Sequence, residues 1–363
     1  MTAARTRALV RIVGTGLLGT SLGLALRERG VEVVLANRSP GALRLAIDYG
    51  AGRAARDGDA PGIVVVATSP DSTAAVVAAE LEAHPDALVT DVASVKAGIL
   101  ADLRDRGADV ARYLGSHPMA GRERSGVMAA RADLFTGRPW VVAPHAASTD
   151  DQIRALEDLA LDVEAAPVRM DPDAHDRAVA LVSHVPQVVA SLLAARLIGA
   201  SDPATGLAGG GVRDTTRIAA SDPALWVQIL SANAAPVAEL LAAYRDDLDA
   251  LIAALADPEA PGAPSTIASA LARGNDGVAR LPGKHGGSTR FASLVVQVDD
   301  RPGELARLLT EIGEEGVNME DLHLEHSPGA QIGFAEIAVL PEAAPRLAEA
   351  LEARGWHLAE GGR

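Results

Sequence analysis

The sequence has no cysteine and few aromatic residues, with three Trp, three Tyr and three Phe among 363 residues. Without cysteine, the chain cannot form disulfides, thiol nucleophiles, or zinc and iron–sulfur sites with cysteine ligands. The shortage of aromatic side chains leaves few platforms on which nucleic-acid bases could stack. A formal net charge of −15 also argues against nucleic acid or an anionic membrane as the main partner.

Uninterrupted apolar runs of membrane-spanning length are also lacking, since a spanning helix needs about 20 apolar residues. The N-terminus, Met1-Thr-Ala-Ala-Arg-Thr-Arg7, does not read as a secretion signal. We therefore expect a cytoplasmic protein without a membrane segment. Its hydrophobic fraction of 48% suffices for folded cores, and its length indicates two or three domains.

Short apolar segments alternate with helical periods as far as about residue 168. Leu18, Leu22, Ala25 and Leu26, for example, recur on one face of a helix. Strands that alternate with helices predict βαβ units and a largely parallel sheet, here assigned to residues 1–169. The predicted strands lie at 8–13, 31–35, 63–67, 87–89, 112–114, 140–143 and 163–168.

Residues 170–256 are different, because two long segments at 178–199 and 223–255 are apolar on most faces of a helix. A kink is expected at Pro186. Helices that are apolar all round must be buried all round, and a segment of this size cannot bury them by itself. We predict an all-α substrate and dimerisation domain, and hence a homodimer.

The remaining chain divides into a linker and a small domain. Residues 257–289 are rich in Pro, Gly, Ser and Ala and predict a linker with one short helix at 266–273. Residues 290–363 predict strands at 291–298, 317–324, 332–340 and 356–359, with helices at 305–312 and 343–354. This βαββαβ order is typical of a ferredoxin-like domain.

A glycine motif, Gly14-Thr15-Gly16-Leu17-Leu18-Gly19, directly follows the first predicted strand and opens the first predicted helix. This arrangement allows the backbone to approach a pyrophosphate at the start of the helix. It predicts a dinucleotide-binding Rossmann domain, the alternative being a purely structural glycine turn. We also assign Thr68 and Asp91, which follow or end later strands, to cofactor binding.

The end of the second predicted strand should distinguish NAD from NADP. An acidic residue there binds the ribose 2′-hydroxyl of NAD, but this chain has Asn37-Arg38-Ser39. Asn37 could still bond a hydroxyl, whereas Arg38 and Ser39 could accommodate a 2′-phosphate. Arg38 could also be only a solvated charge, so both cofactors stay open.

Four further residues are candidates for binding or catalysis. His117 follows a predicted strand at the edge where a cofactor ring would lie, and its ordinary pKa of about 6.5 suits a general base. His184 lies in an apolar helix and is either a core residue or part of a pocket wall. Arg213 and Arg217 follow a glycine-rich turn and could hold carboxylates, although a structural pair with Asp214 is an alternative.

Taken together, these residues resemble the prephenate dehydrogenase family, which includes arogenate dehydrogenases. The resemblance rests on 14–19, Ser94, 116–121, His175-Asp176 with Ser183-His184, and 213–217. It implies oxidative decarboxylation of prephenate to 4-hydroxyphenylpyruvate in tyrosine biosynthesis, with NAD⁺ as the expected cofactor and NADP⁺ left open. His117 would accept the proton of the ring hydroxyl, and Ser94 would bond that hydroxyl or orient His117.

The resemblance also implies a substrate pocket in which Arg217 holds a carboxylate. The other expected pocket residues are His184, Glu123, Gly210, Arg213 and Gln187. Many members of the family have a second His where this chain has Gln187, so prephenate and arogenate both stay open as substrates.

Residues 291–360 resemble an ACT domain, a regulatory module that commonly binds amino acids. The regulatory hypothesis is that tyrosine binds between two copies and lowers activity, with the identity of the effector and the sign of its effect left open. Its expected site contains Arg301, Gly303, Asn318 and Met319. The linker residues Lys284 and His285 have no assigned role.

Two other functions agree less well with the sequence. A hydroxy-acid dehydrogenase would often use a Lys base on the helix after the cofactor domain, but residues 175–199 contain no Lys. A non-catalytic amino-acid sensor would not need Ser94, His117 and Arg217 together.

Overall fold

The computed structural model describes residues 3–120, 126–281, 291–326 and 332–359. The chain forms two compact units. One unit comprises Met1–Ile198 and Thr216–Tyr244, and the other comprises Gly199–Thr215 and Arg245–Arg363.

Five strands of the first unit form a wholly parallel sheet in the order β3-β2-β1-β4-β5. Strands β2 and β4 are runs of aliphatic residues, mostly Val, because both faces of such a sheet are covered by helices. The chain order reverses between β1 and β4, and ligands of such sheets bind at the carboxyl ends beside that point. The strands are β1 (Val10–Val13), β2 (Val33–Ala36), β3 (Arg53–Ala54), β4 (Ile63–Val66) and β5 (Leu88–Asp91). The helices are α1 (Leu17–Glu28), α2 (Pro40–Asp48), α3 (Pro70–Ala83) and α4 (Ala97–Asp105).

A second sheet has three strands, β6 (Gly115–Pro118), β7 (Pro139–Ala143) and β8 (Ala166–Arg169). Strand β6 is antiparallel to β7, which is parallel to β8. Helix α5 (Asp150–Asp162) begins with a capping box formed by Thr149 and Gln152.

The predicted strand at 112–114 is reduced to an isolated parallel bridge between Tyr113 and Val89. Asp109 caps a 3-10 turn over Val110–Arg112, and the strand begins only at Gly115, where the chain pairs with β7. His117 consequently lies within β6 rather than in a loop after a strand. The partner strand lies more than twenty residues away, so local pattern could not locate this pairing.

The helical segments match the prediction in position but contain breaks. The expected kink near Pro186 is a π-helical turn over Ala180–His184, because Pro186 has no N–H for the regular helical ladder. The second predicted helix is interrupted at Asn233, and the predicted short linker helix extends over 16 residues. The helices are α6 (Pro172–Val179), α7 (Val185–Ala195), α8 (Asp202–Gly206), α9 (Gly210–Thr216), α10 (Pro223–Ala232), α11 (Ala234–Ala256) and α12 (Ala263–Val278).

The stretch Pro172–Gly199 leaves much of its apolar surface uncovered in the single chain. Leu181, Val182 and Leu192 are exposed, and Ile198 retains 88% of its accessible surface. Polar residues interrupt this stretch, yet its length and mean hydropathy of 1.8 are sufficient for a membrane span. The helices Pro223–Ala232 and Ala234–Ala256 pass the same test only when taken together, and they are bent by 95°. Large exposed apolar faces of this kind also mark protein–protein interfaces.

The C-terminal part of the second unit is a four-stranded antiparallel sheet with two helices, in the predicted βαββαβ order. Its strand order is β10-β11-β9-β12. Its buried core is apolar, with Val296, Leu308, Ile337, Leu347 and Trp356 among its members. The elements are β9 (Ala292–Asp299), α13 (Glu304–Glu314), β10 (Asp321–His326), β11 (Ile332–Val339), α14 (Ala344–Ala353) and β12 (His357–Leu358).

Candidate functional site: a dinucleotide loop and a buried imidazole series

The glycine loop joins β1 to α1 at the carboxyl edge of the parallel sheet. Gly14 has a φ of +103°, and a side chain there would collide with the Ala67 carbonyl. A side chain at Gly19 would collide with the Gly14 carbonyl, whereas the space over Gly16 is open. These three roles, a tight turn, close helix packing and an open approach, are those that a pyrophosphate needs.

The start of α1 completes this cradle. Gly16 is the N-cap, and its lack of a side chain leaves the amides of the first turn, at Leu17 and Leu18, without a side-chain cap. Thr68 lies half-buried after β4, and a Cβ on Gly14 would lie 3.2 Å from its nitrogen. The residues present therefore fit a dinucleotide.

A hydrogen-bonded series of three side chains, His117, His175 and Asp176, lies in the first unit. We call it the His–His–Asp series. The distance between His117 Nδ1 and His175 Nε2 is 2.9 Å, and that between His175 Nδ1 and Asp176 Oδ1 is 2.8 Å. Asp176 also accepts the backbone N–H groups of Lys96 and Ala97 through its two oxygens. His175 is fully buried, so these bonds hold it in one orientation.

The series determines which nitrogen of His117 can accept a proton. The Asp176 carboxylate can only accept, so His175 Nδ1 carries the proton and donates to it. His175 Nε2 is then an acceptor, and His117 Nδ1–H donates to it. The lone pair of neutral His117 is consequently on Nε2. Burial lowers the pKa of His117 well below its ordinary value, and the charges of His175, Lys96 and His184 act in the same direction.

A second buried group, the lysine cluster, consists of Lys96, Asp91 and Tyr113. Lys96 Nζ is paired with Asp91 Oδ1, and the Tyr113 hydroxyl donates to Asp91 Oδ2 at 2.6 Å. Burial lowers the pKa of Lys96, while its pairing with Asp91 opposes that shift. Lys96 is one of only two lysines in the chain.

The lysine cluster changes the interpretation of Asp91, which was predicted to bind the cofactor. Asp91 ends β5 as expected, but it is fully buried and both carboxylate oxygens are occupied by protein donors, including the amide of Ala93. These bonds indicate that Asp91 stabilises the end of β5 rather than contacting the cofactor.

His184 is a satisfied core residue, one of the two alternatives. It ends the π-helical turn, is 1% exposed, and its Nδ1 lies 3.0 Å from the Asn233 side-chain nitrogen. Burial lowers its pKa to about 4, so at neutral pH the uncharged ring accepts from Asn233. Asn233 also donates to the Asp176 carbonyl at 2.8 Å, which links His184 to the helix that carries His175 and Asp176.

Ser94 is half-buried between β5 and α4, and within the described part of the chain its hydroxyl makes no hydrogen bond. In this structure it makes no bond to His117, whose Nδ1 is bonded to His175. Gln187 is buried and donates to Ser221 Oγ at 2.8 Å and to Ser191 Oγ at 3.3 Å. This brace ties α7 to the segment that includes the exposed Arg217.

The other predicted pocket residues belong to the second compact unit or lie outside the described residues. Gly210 and Arg213 lie on α9, in the second compact unit. Glu123 and the linker residues Lys284 and His285 lie outside the described residues.

The four predicted effector residues lie in two groups. Arg301 and Gly303 follow the end of β9, where Asp299 pairs with Ile332. Asn318 and Met319 precede the start of β10, which lies opposite Ala338. Because Ala338 pairs with Ser293 near the start of β9, the two groups lie at opposite ends of the sheet. One chain cannot bring them into a single pocket.

Comparison with known proteins identifies the family. The family model of the prephenate dehydrogenase nucleotide-binding domain matches residues 22–168, and that of the prephenate dehydrogenase dimerization domain matches residues 171–267. The chain is 39% identical over 360 residues to a probable prephenate dehydrogenase, NovF, of Streptomyces niveus, covering 95% of this chain and 98% of that protein. The chain belongs to the prephenate dehydrogenase family.

Solved structures of this family have the same fold. The prephenate dehydrogenase of A. aeolicus, in complex with hydroxyphenyl propionate and NAD⁺, is 25% identical with a TM-score of 0.65, covering 76% of this chain and 99% of that one. The Synechocystis arogenate dehydrogenase is 27% identical with a TM-score of 0.63, covering 74% and 100%. The predicted Rossmann-like domain, helical dimerisation domain and nicotinamide-dependent dehydrogenase are thereby confirmed.

Sequence reasoning gave no role to His175, Asp176, Lys96 or Asn233. The adjacent pair His175-Asp176 was noted only as part of the resemblance. No local signal marked the pair as buried, because the same helix also carries Asp173 and Arg177.

Proposed function

We propose that this protein catalyses the oxidative decarboxylation of prephenate to 4-hydroxyphenylpyruvate in tyrosine biosynthesis. The observation that carries the proposal is the His–His–Asp series, which holds His117 with a lone pair on Nε2. A low pKa keeps that nitrogen unprotonated at neutral pH, as a general base requires.

His117 Nε2 takes the proton of the ring 4-hydroxyl as the C4–H bond breaks. The bound nicotinamide supplies the acceptor for the hydride. The bond between the ring and its carboxylate then breaks, CO₂ leaves, and its electron pair makes the ring aromatic. The proton held on Nε2 returns to the phenolic oxygen, so no proton is gained or lost overall.

Asp176 supports the proton transfer through His175. When His117 becomes charged, its Nδ1–H bond to His175 strengthens, and the carboxylate lies one imidazole away. Ser94 has a hydroxyl available for the substrate oxygen, and Arg217 would bind a substrate carboxylate. Such fixed partners reduce the reorganisation needed during the reaction.

Arogenate is the second candidate substrate. It differs from prephenate in its side chain, where an amino group replaces the keto group, and Gln187 replaces a histidine found in many relatives. Both hydrogens of the Gln187 amide point to Ser221 and Ser191, which leaves its carbonyl oxygen as the group that could accept from an ammonium. Steady-state kinetics on both substrates would separate the two.

We further assign a homodimer and a regulatory role for the C-terminal sheet. The exposed leucines and valines of the helical segment support the dimer. The βαββαβ order and the sheet order β10-β11-β9-β12 support an ACT domain. The separation of the two effector groups supports a tyrosine site between two copies.

Replacement of the base tests the proposed reaction. His117→Asn should lower kcat by about 10²–10⁴-fold, because proton removal is lost. The dissociation constant of the dinucleotide, measured by fluorescence titration, should be unchanged. His357→Asn, at an exposed position in the C-terminal sheet, is the matched control. Wild-type kcat in His117→Asn would refute the assigned role.

A further inference from the structure

No acidic side chain lies at the C-terminal end of β2, where an Asp or Glu would favour NAD over NADP. In dinucleotide-binding domains an Asp or Glu at this point bonds the ribose hydroxyls and repels a 2′-phosphate. Here β2 ends at Ala36, and the sequence from 33 to 47 contains no acidic residue. In a chain of net charge −15 this stretch contains two arginines, Arg38 and Arg44.

Asn37, at the position of the missing carboxylate, is occupied by internal bonds. Its side-chain nitrogen donates to Thr15 Oγ1 at 2.6 Å, inside the glycine loop. Its side-chain oxygen accepts from the Ser39 amide at 2.9 Å. Asn37 therefore braces the glycine loop against the turn after β2, and the residues that follow it are left to meet the ribose.

Arg38 and Ser39 are those residues. Arg38 is exposed, and in the described ranges it makes neither a hydrogen bond nor an ion pair. Arg53 on the neighbouring strand differs, because Glu32 and Asp59 both bind its guanidinium. Ser39 Oγ accepts from the Ala42 amide at 3.3 Å, so its hydroxyl hydrogen is available to donate.

We propose that the protein binds NADP⁺ in preference to NAD⁺, and that Arg38 and Ser39 hold the 2′-phosphate. The planar guanidinium can donate two hydrogen bonds to one phosphate, and no nearby carboxylate in the sequence opposes the charge. The proposal deepens the proposed function by naming its cofactor, and it rests on the nucleotide-binding domain rather than on the identity of the substrate.

Binding measurements on the full chain test it without turnover. Calorimetric titration should show that NADP⁺ binds about tenfold to a hundredfold more tightly than NAD⁺. Arg38→Ala should weaken NADP⁺ binding by that factor and leave NAD⁺ binding unchanged. Arg104→Ala, an exposed arginine on α4, is the control and should change neither value.

Equal or tighter binding of NAD⁺ by the wild-type protein would overturn the proposal. So would an equal loss of affinity for both dinucleotides in Arg38→Ala, since that result would place Arg38 against a group that both share. If prephenate and arogenate are not oxidised with either cofactor while the binding preference holds, the proposed function fails and this inference stands.

Discussion

The two parts of the molecule with well-formed cores use charge in opposite ways. The first unit buries Asp91, Lys96, His175, Asp176 and His184. The C-terminal sheet has no polar residue among its described buried ones. Its charges instead form pairs near the surface, such as Arg354 with Glu314 and Glu315.

This difference is the one expected if the proposed chemistry takes place in the first unit. Burying charged groups is costly unless each has partners, and apolar replacements of similar volume are often no less stable. The first unit retains the lysine cluster and the buried Asp176 carboxylate near His117, which supports a functional reason for these charges. The C-terminal sheet needs only packing to present a binding surface.

The largest expected effect tests the buried side of the comparison. Asp176→Asn should lower kcat by about 10²–10⁴-fold with little change in KM, because an amide no longer fixes the tautomers of His175 and His117. Asp173→Asn, exposed on the same helix, is the control. Steady-state kinetics check both variants, and near-normal kcat in Asp176→Asn would show that His117 does not depend on the series.

A stability measurement compares the two parts directly. Lys96→Met should reduce the free energy of unfolding of the first unit by about 3–5 kcal/mol, because it leaves Asp91 buried without its cation. Arg354→Met should shift the urea midpoint only slightly, since its pairs are near solvent. A double variant, Lys96→Met with Asp91→Asn, should recover part of the loss. Equal midpoints in the two single variants would contradict the contrast.

The pH profile should show the effect of burial on the imidazoles. The proposed base is active when neutral, and burial holds the pKa of His117 well below its ordinary value of 6.5. We expect kcat/KM to stay constant as pH falls through 6.5 and to decrease only at lower pH. Stability should also decrease between pH 6.5 and about 4, because unfolded His184 gains a proton before the folded residue, whose pKa is about 4. An activity limb at the ordinary histidine pKa would mean that water reaches the site.

The smallest expected effect belongs to the C-terminal sheet. Tyrosine should inhibit the wild-type protein, and Arg301→Ala should weaken that inhibition by about 5-fold or more without changing kcat in its absence. Arg346→Ala, exposed in the same sheet domain, is the control. Inhibition constants measured with prephenate check this, and unchanged inhibition in Arg301→Ala would remove Arg301 from the effector site.

Elements with a local signature were predictable from sequence. The glycine motif follows β1 and opens α1 as expected, because each glycine answers a local backbone requirement. The βαββαβ order of the C-terminal part was also correct, since its strands alternate and its helices have clear apolar stripes.

Elements that depend on distant partners were misplaced or missed. Strand β6 begins at Gly115 because the chain starts to pair with β7 there. Since β7 lies more than twenty residues later, the local sequence does not show where this pairing starts. Asp91 was assigned to the cofactor because its position at a strand end is typical of ligand-binding residues. Lys96 and Tyr113 instead occupy its oxygens.

The sequence by itself determined most kinds of element, the nucleotide-binding loop and which imidazole we propose as the base. Only the tertiary structure decided that His117 presents Nε2 with a lone pair. That outcome depends on hydrogen bonds between residues 58 positions apart. The physical reason is that a tautomer is set by a partner in space, and no periodicity along the chain records which partner the fold supplies.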